Sequence, residues 1–110
     1  MTNDEATFFD IGGLEELRSN AGKRYREFLR VPAMSAGLYV LPAGEVDSQL
    51  PHKEDEMYYV LRGKARMRAG SRDQAVHPGS VIFVAAEVEH RFYEIEEELA
   101  VLVFFAPAES

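Results

Sequence analysis

The sequence has no cysteine, which excludes disulfide bonds, thiolate metal sites and thiol nucleophiles. Basic residues are also few, because 12 lysines and arginines stand against 19 acidic residues and leave a net charge of −7. No stretch gathers them into a strong patch, so we expect no nucleic-acid partner. No apolar run approaches the length of a membrane span, and the first residues lack a signal-peptide pattern. We therefore expect a cytoplasmic protein without a membrane partner.

The remaining composition predicts one globular domain over residues 1–110, since 46% of the residues are hydrophobic and 28% are charged. Residues 1–10 are mostly polar and predict a loose lead-in. The leucine spacing and the glycine that follows it predict a short helix within residues 11–22. From there to residue 106, short apolar or alternating runs are divided by proline and glycine, so residues 24–106 should form a barrel or sandwich of strands.

Each of these runs has the length and residue types of a strand, and Gly63 is expected to be a turn between two of them. The predicted strands are Tyr25–Val31, Gly37–Leu41, Met57–Leu61, Ala65–Ala69, Gln74–Val76, Ser80–Val84, His90–Ile95 and Leu99–Phe105. This pattern indicates an all-β sandwich or barrel with a short N-terminal helix. Several strands are apolar on both faces, and a second face needs another sheet or a partner subunit, so we expect a homodimer.

The stretch QLPHKEDEMYYVLRG, residues 49–63, sets charged residues just before a predicted strand. If the chain is extended there, His52, Glu54 and Glu56 share one face with Tyr58 and Val60. An inward-facing Glu56 would be a buried carboxylate, which needs a cation, a shifted pKa or surrounding donors. The plainer interpretation is a solvated acidic loop.

His90 extends the argument, because it opens a later predicted strand and shares its parity with Phe92. If His90 also faces inward, the set contains two histidines and one carboxylate. That set suits non-haem iron in an open facial triad, and it also suits catalytic zinc that keeps one position for water.

The spacing around residues 44–63 resembles the first motif of the cupin superfamily. That motif is a glycine, five residues, His-x-His, three or four residues, a glutamate, six residues and a glycine. The corresponding residues here are Gly44, His52, Glu56 and Gly63, whereas Leu50 stands in place of the first histidine. With three ligands, an octahedral metal would keep three positions for water or substrate.

The second cupin motif has a proline–glycine turn, a short apolar strand and a histidine about ten residues beyond. Pro78 and Gly79 open such a segment and His90 closes it, although an alanine follows the strand where a proline is common. The resemblance covers about residues 37 to 106. It implies a small conserved-barrel cupin, an antiparallel jelly-roll barrel usually found as a dimer, in which His52, Glu56 and His90 are the metal ligands.

Other residues are candidates for supporting positions. Gln49 and Glu54 are candidate partners that fix the orientation of a histidine ligand. Four residues are candidates to line a pocket: Tyr39, Tyr58, Met67 and Phe92. A site of histidine and carboxylate accepts zinc, iron, nickel, manganese or copper, so the identity of the divalent metal stays open.

These observations lead to three functional hypotheses. The first is a metal-dependent enzyme acting on a small molecule, of the dioxygenase, isomerase or lyase type, since similar small cupins include all three. The second is a non-catalytic barrel that binds or senses a small molecule or sugar, with or without metal. The third is a structural dimer whose pocket is vestigial. The fold alone does not choose among them.

Overall fold

The computed structural model describes residues 5–110. One helix, α1 (Ile11–Ala21), precedes six strands: β1 (Tyr25–Val31), β2 (Met34–Leu41), β3 (Asp55–Ala69), β4 (Arg72–Val76), β5 (Val81–Val84) and β6 (His90–Ala106). Residues 5–10 contain neither helix nor strand, and the rest of the predicted lead-in, residues 1–4, lies outside the described residues. Over residues 5–110, no helix is long and apolar enough to cross a membrane.

The strands form a single antiparallel sheet in the order β1-β2-β6-β3-β4, and β5 pairs with β3. The prediction of an all-β antiparallel barrel with a short N-terminal helix is confirmed. The longest shared ladder joins β3 to β6, from the pair Asp55 and Ala106 at one end to the pair Ala69 and His90 at the other.

The predicted turn at Gly63 is wrong, because Gly63 lies within β3. Its φ is +100°, and a Cβ atom at this position would overlap the backbone carbonyl oxygen of Glu98 on β6. The register of β3 against β6 shifts between Val60 and Arg66, which marks β-bulges around the glycine. Bulges bend a strand without ending it. Runs that the sequence divides into separate strands are therefore continuous in β3, and the same is true of β6.

The helix covers part of the outer face of the sheet. Leu14 of α1 packs with Leu38, Val40 and Ala100, which lie on β2 and β6. The helix begins after Asp10, whose carboxylate accepts a hydrogen bond from the Gly13 backbone N–H at 2.8 Å.

A larger cluster fills the inside of the barrel with residues from the five strands β2 to β6, among them Tyr58 and Phe92. Outside the part covered by α1, four large apolar side chains of β3 and β5 remain exposed: Met57, Tyr59, Val81 and Phe83. They are neighbours, because Met57 pairs with Phe83 and Tyr59 with Val81. We call these four residues the outer apolar face.

Candidate metal centre

The ribbon formed by β3 and β6 brings two of the predicted ligands together. Glu56 lies near the start of β3, whereas His90 pairs with Ala69 at the end of the same strand. A straight strand from Glu56 to Ala69 would span roughly 40 Å. The ribbon instead curls until Nε2 of His90 is 2.8 Å from Oε1 of Glu56. The centre thus forms where the two ends of one ribbon meet.

The third predicted ligand, His52, comes from the loop before β3. Its ring centroid lies 5.5 Å from that of His90. Each of His52, Glu56 and His90 offers one ligand atom, and these atoms all lie within 4.8 Å of one another. Glu56 and His90 are only 3% and 6% exposed. The structure therefore gathers the three residues, while their role as metal ligands stays a prediction.

The atoms of this cluster fit a cation. Within residues 5–110, Nε2 of His90 and Oε2 of Glu56 are buried without a hydrogen-bond partner, and the 2.8 Å approach of Nε2 to Oε1 is not aligned as a hydrogen bond. Nδ1 of His90 lies 2.9 Å from the Val88 carbonyl oxygen. A carbonyl only accepts, so Nδ1 carries a proton and Nε2 can turn a lone pair toward the carboxylate. Two acceptors at this distance repel each other unless a positive charge lies between them.

The charge balance of His90 points the same way. Burial lowers the pKa of His90. Contacts with the Glu56 carboxylate and the Val88 carbonyl together raise it by more than burial lowers it, so the pKa lies above its ordinary value. The position of the Nε2 atom therefore favours positive charge despite burial.

His52 is oriented by a residue that sequence reasoning missed. Nδ1 of His52 lies 3.2 Å from Oε2 of Glu109. Glu109 is held in place through its backbone, because its N–H donates to Oγ of Ser35 at 2.9 Å and its carbonyl accepts from Arg30 at 2.7 Å. Burial raises the pKa of Glu109, and nearby carboxylates, including Glu54, add to the effect. Glu109 is so far from His52 along the chain that no local pattern connects them.

Asp47 is a second residue that the sequence did not reveal. It is 2% exposed, and its carboxylate accepts hydrogen bonds from the Tyr39 hydroxyl at 2.8 Å, the Gln49 side-chain amide at 2.8 Å and the Phe92 backbone N–H at 2.9 Å. These three donors compensate the buried charge. Asp47 lies in a loop without hydrophobic periodicity, so nothing local separates it from solvated acidic residues.

The two candidate supporting residues have different surroundings. Oε1 of Gln49 lies 3.1 Å from Nε2 of His52, so this residue does contact a predicted ligand. Glu54 is 5% exposed, and its carboxylate accepts a hydrogen bond from the Ser110 backbone N–H at 3.1 Å.

The four candidate pocket residues are also placed differently. Tyr39 lines a cavity together with His52, whereas Met67 lines a separate cavity beside β4 and β5. The rings of Tyr58 and Phe92 are fully buried and contact each other edge to face, with centroids 5.1 Å apart. The Tyr58 hydroxyl donates to Oε1 of Gln49 at 3.2 Å.

Two cavities flank the cluster, one against each histidine, and Gln49 borders both. The cavity on the His52 side has a volume of about 220 Å³ and is lined by Tyr25, Tyr39, Gln49, His52, Val103, Phe105 and Glu109. The cavity on the His90 side has a volume of about 330 Å³ and is lined by Gln49, Leu50, Pro51, Arg68, Gly70, Glu89, His90 and Arg91.

An antiparallel barrel that brings two histidines and a glutamate within 4.8 Å of one another has the fold and the residue cluster of a cupin-type protein. The sequence profile of the family described as Cupin domain matches residues 37–106. The chain therefore belongs to the cupin family, and the resemblance stated from the two motifs is confirmed.

Known proteins resemble the chain in sequence and in fold. An uncharacterized protein of Streptomyces coelicolor is 46% identical over 102 residues, which are 93% of this chain and 97% of that protein. The structure of TT1209 from Thermus thermophilus superposes with a TM-score of 0.72 at 23% identity, over 92% of this chain and 97% of that one. The DMSP lyase DddQ from Ruegeria pomeroyi gives a TM-score of 0.67 at 18% identity, over 80% of this chain and 49% of the lyase. The two structural likenesses show the fold alone.

Proposed function

We propose that the chain binds one divalent metal ion through His52, Glu56 and His90 and is a metal-dependent enzyme acting on a small molecule, of the isomerase or lyase type. The observation that carries the metal site is the buried approach of Nε2 of His90 to the Glu56 carboxylate, at 2.8 Å and without a hydrogen bond. A bound cation would turn this unfavourable approach into shared coordination.

The chain's own residues prepare the donors. The Val88 carbonyl and the Glu109 carboxylate each face Nδ1 of one histidine, so that Nε2 of each ring points to the cluster. Nε2 of His90 has no hydrogen-bond partner within the described residues, whereas Nε2 of His52 lies 3.1 Å from Oε1 of Gln49. Glu56 offsets part of the ionic charge. Once bound, the ion would supply Lewis-acid polarisation of a substrate oxygen.

Tyr25 is the group we assign to substrate binding. It lines the 220 Å³ cavity beside His52, and within the described part of the chain its buried hydroxyl has no hydrogen-bond partner. Burial raises the pKa of Tyr25, and the nearby Glu109 carboxylate raises it further, so the hydroxyl stays protonated and can donate. A donor that lines the same cavity as a ligand of a polarising ion suits reactions that move a proton or break a bond next to a carbonyl or carboxylate.

The first test is metal content and affinity. Wild-type protein, treated with chelator and then titrated with Mn²⁺, Fe²⁺ or Zn²⁺, should bind about one ion per chain by calorimetry and elemental analysis. His52→Ala should lose this binding, whereas His77→Ala should keep it, because His77 is exposed and lies outside the cluster. If the wild type binds no ion even at high metal concentration, the proposed site is wrong.

The second test separates the enzyme from the non-catalytic alternative. That alternative draws support from Leu50, which replaces a family histidine and is 78% exposed. Metal-loaded protein would be incubated with small hydroxy acids, keto acids and sugars, and products would be followed by NMR. Turnover that is lost in Tyr25→Phe while metal content is kept supports the enzyme. Saturable binding without turnover of any bound compound supports the plain binder.

We also propose that the partner of this chain is a second copy of itself. The outer apolar face, Met57, Tyr59, Val81 and Phe83, is contiguous across β3 and β5, and Val81 and Phe83 are 61% and 60% exposed. The helix that covers the neighbouring part of the sheet does not reach these residues, since its packing partners lie on β1, β2 and β6 and at Leu61. A homodimer would remove this surface from water.

A further inference from the structure

Gln49 turns its amide toward the predicted ligands from the position just before the replaced histidine. Leu50 is 78% exposed and faces solvent. In contrast, Oε1 of Gln49 lies 3.1 Å from Nε2 of His52 and accepts a hydrogen bond from the Tyr58 hydroxyl at 3.2 Å. The cluster therefore contains a fourth candidate donor, one residue away from the place where the family motif supplies it.

Asp47 fixes which end of this amide faces the cluster. The buried Asp47 carboxylate receives the Gln49 Nε2–H at 2.8 Å. An ionised carboxylate only accepts hydrogen bonds, so the amide nitrogen must point to Asp47 and the oxygen must point away from it. The hydroxyl of Tyr58 is a donor that fits the same orientation. Asp47 is itself held by Tyr39 and by the backbone of Phe92.

The contact between Gln49 and His52 differs from the one at His90, because Nε2 of His52 and Oε1 of Gln49 are aligned as a hydrogen bond at 3.1 Å. The amide oxygen is an acceptor, so the ring Nε2–H donates in this contact. Nδ1 of His52 also lies 3.2 Å from the acceptor oxygen of Glu109. Both histidines therefore have hydrogen-bond acceptors next to both ring nitrogens. A divalent cation that replaced the proton at the two Nε2 atoms would be shared with the oxygens of Gln49 and Glu56 that face them.

Two of the observed distances fit that solution. Two donors bound to the same ion at about 2.1 Å, on adjacent positions of an octahedron or tetrahedron, lie roughly 3.0 to 3.4 Å apart. The His52–Gln49 distance is 3.1 Å and the His90–Glu56 distance is 2.8 Å. Each pair is thus close to the spacing of neighbouring ligands.

We infer that Oε1 of Gln49 is the fourth protein ligand of the metal ion, in place of the histidine that Leu50 replaces, and that Asp47 is the positioning residue for it. This inference rests on the proposed metal site. The inference also narrows the identity of the metal. A site of two imidazole nitrogens and two oxygens suits Mn²⁺ or Fe²⁺ better than a site with three imidazole nitrogens does.

The test is a calorimetric titration of chelator-treated protein with Mn²⁺ at fixed pH. Gln49→Ala should still bind about one ion per chain, with affinity at least about 10-fold weaker than the wild type. Gln74→Ala is the matched control, because Gln74 is exposed on β4 and should leave the affinity unchanged. Equal affinities of wild type and Gln49→Ala would overturn the inference and leave the proposed site intact. A wild type that binds no ion would overturn both.

A double variant and a structure distinguish a ligand from a residue that only positions His52. In the double variant Asp47→Asn with Gln49→Glu, residue 49 keeps an oxygen donor and the new amide at position 47 can donate to it, but that amide then faces the Phe92 backbone N–H that Oδ2 of Asp47 accepts. Its Mn²⁺ affinity should therefore exceed that of Gln49→Ala. A crystal structure of the Mn²⁺-loaded wild type should place Oε1 of Gln49 about 2.1 to 2.3 Å from the ion. A separation beyond about 3.5 Å would overturn the inference.

Discussion

Metal should raise the thermal stability of the protein by an amount that can be calculated in advance. Because His90 and Glu56 are 6% and 3% exposed, the assembled centre belongs to the folded state and is lost on unfolding. At free metal about 100 times its Kd, binding to the folded state alone adds about 2.7 kcal/mol to the free energy of unfolding. An unfolding entropy of about 2.1 cal/mol/K per residue over 110 residues is about 0.23 kcal/mol/K. The expected rise in Tm is therefore about 12 °C.

The variant His90→Ala should lose most of this rise. Removing one ligand should weaken binding by at least the roughly 100-fold that the loss of a supporting residue can cause. At the same metal concentration the gain then falls to about 0.4 kcal/mol, or about 2 °C. Each protein is compared with and without metal, so the direct effect of the substitution on the metal-free fold cancels.

The assay is differential scanning calorimetry on chelator-treated protein at several metal concentrations, with His77→Ala as the control. The control should show the full rise, since His77 is exposed and its ring nitrogen Nδ1 lies 3.0 Å from the neighbouring Pro78 carbonyl, away from the cluster. A wild-type Tm that does not move with metal would refute the reasoning. An equal rise in wild type and His90→Ala would also refute it, because the ion would then be bound elsewhere.

Three further predictions concern the barrel. Gly63→Ala should lower the free energy of unfolding in urea by about 2 to 5 kcal/mol, because the new side chain would be strained at positive φ and would overlap β6. Gly79→Ala should lower it by only about 1 to 2 kcal/mol, because a Cβ atom there has no neighbour within 4 Å. Phe83→Asp should shift sedimentation toward monomer and Phe8→Asp should not; a monomeric wild type would contradict this. Hydrogen bonds from Tyr93, Arg68 and Arg66 lower the pKa of Asp73, so its titration midpoint in NMR should lie below 3.8. The stability that Asp73 contributes should be lost only as the pH falls through that midpoint.

The sequence predicted the parts of the centre that follow strand parity. Glu56, Tyr58 and Val60 are all buried on one face, as period-two alternation requires, and His90 begins a strand whose inward residues include Phe92. A local rule was sufficient here because regular strands alternate their side chains.

The sequence failed where the chain departs from regular geometry. Gly63 is a residue that usually marks a turn, yet here the approach of another backbone requires it within a bulged strand. Glu109 and Asp47 act through contacts made only after folding, with partners such as His52 and Phe92 that are far away along the chain. No periodicity connects residues whose proximity depends on how the ribbon curls.

The curl of the β3–β6 ribbon has a kinetic consequence. Glu56 and His90 lie 34 positions apart in the sequence, at opposite ends of one ladder, and they meet only when that ladder is fully formed. A partly formed ribbon has no centre, so the proposed ion would bind only to the completed barrel. A bound ion would link the two ends of the ribbon, and separation of the ends would break that link. Metal should therefore lower the rate at which this end of the ribbon opens.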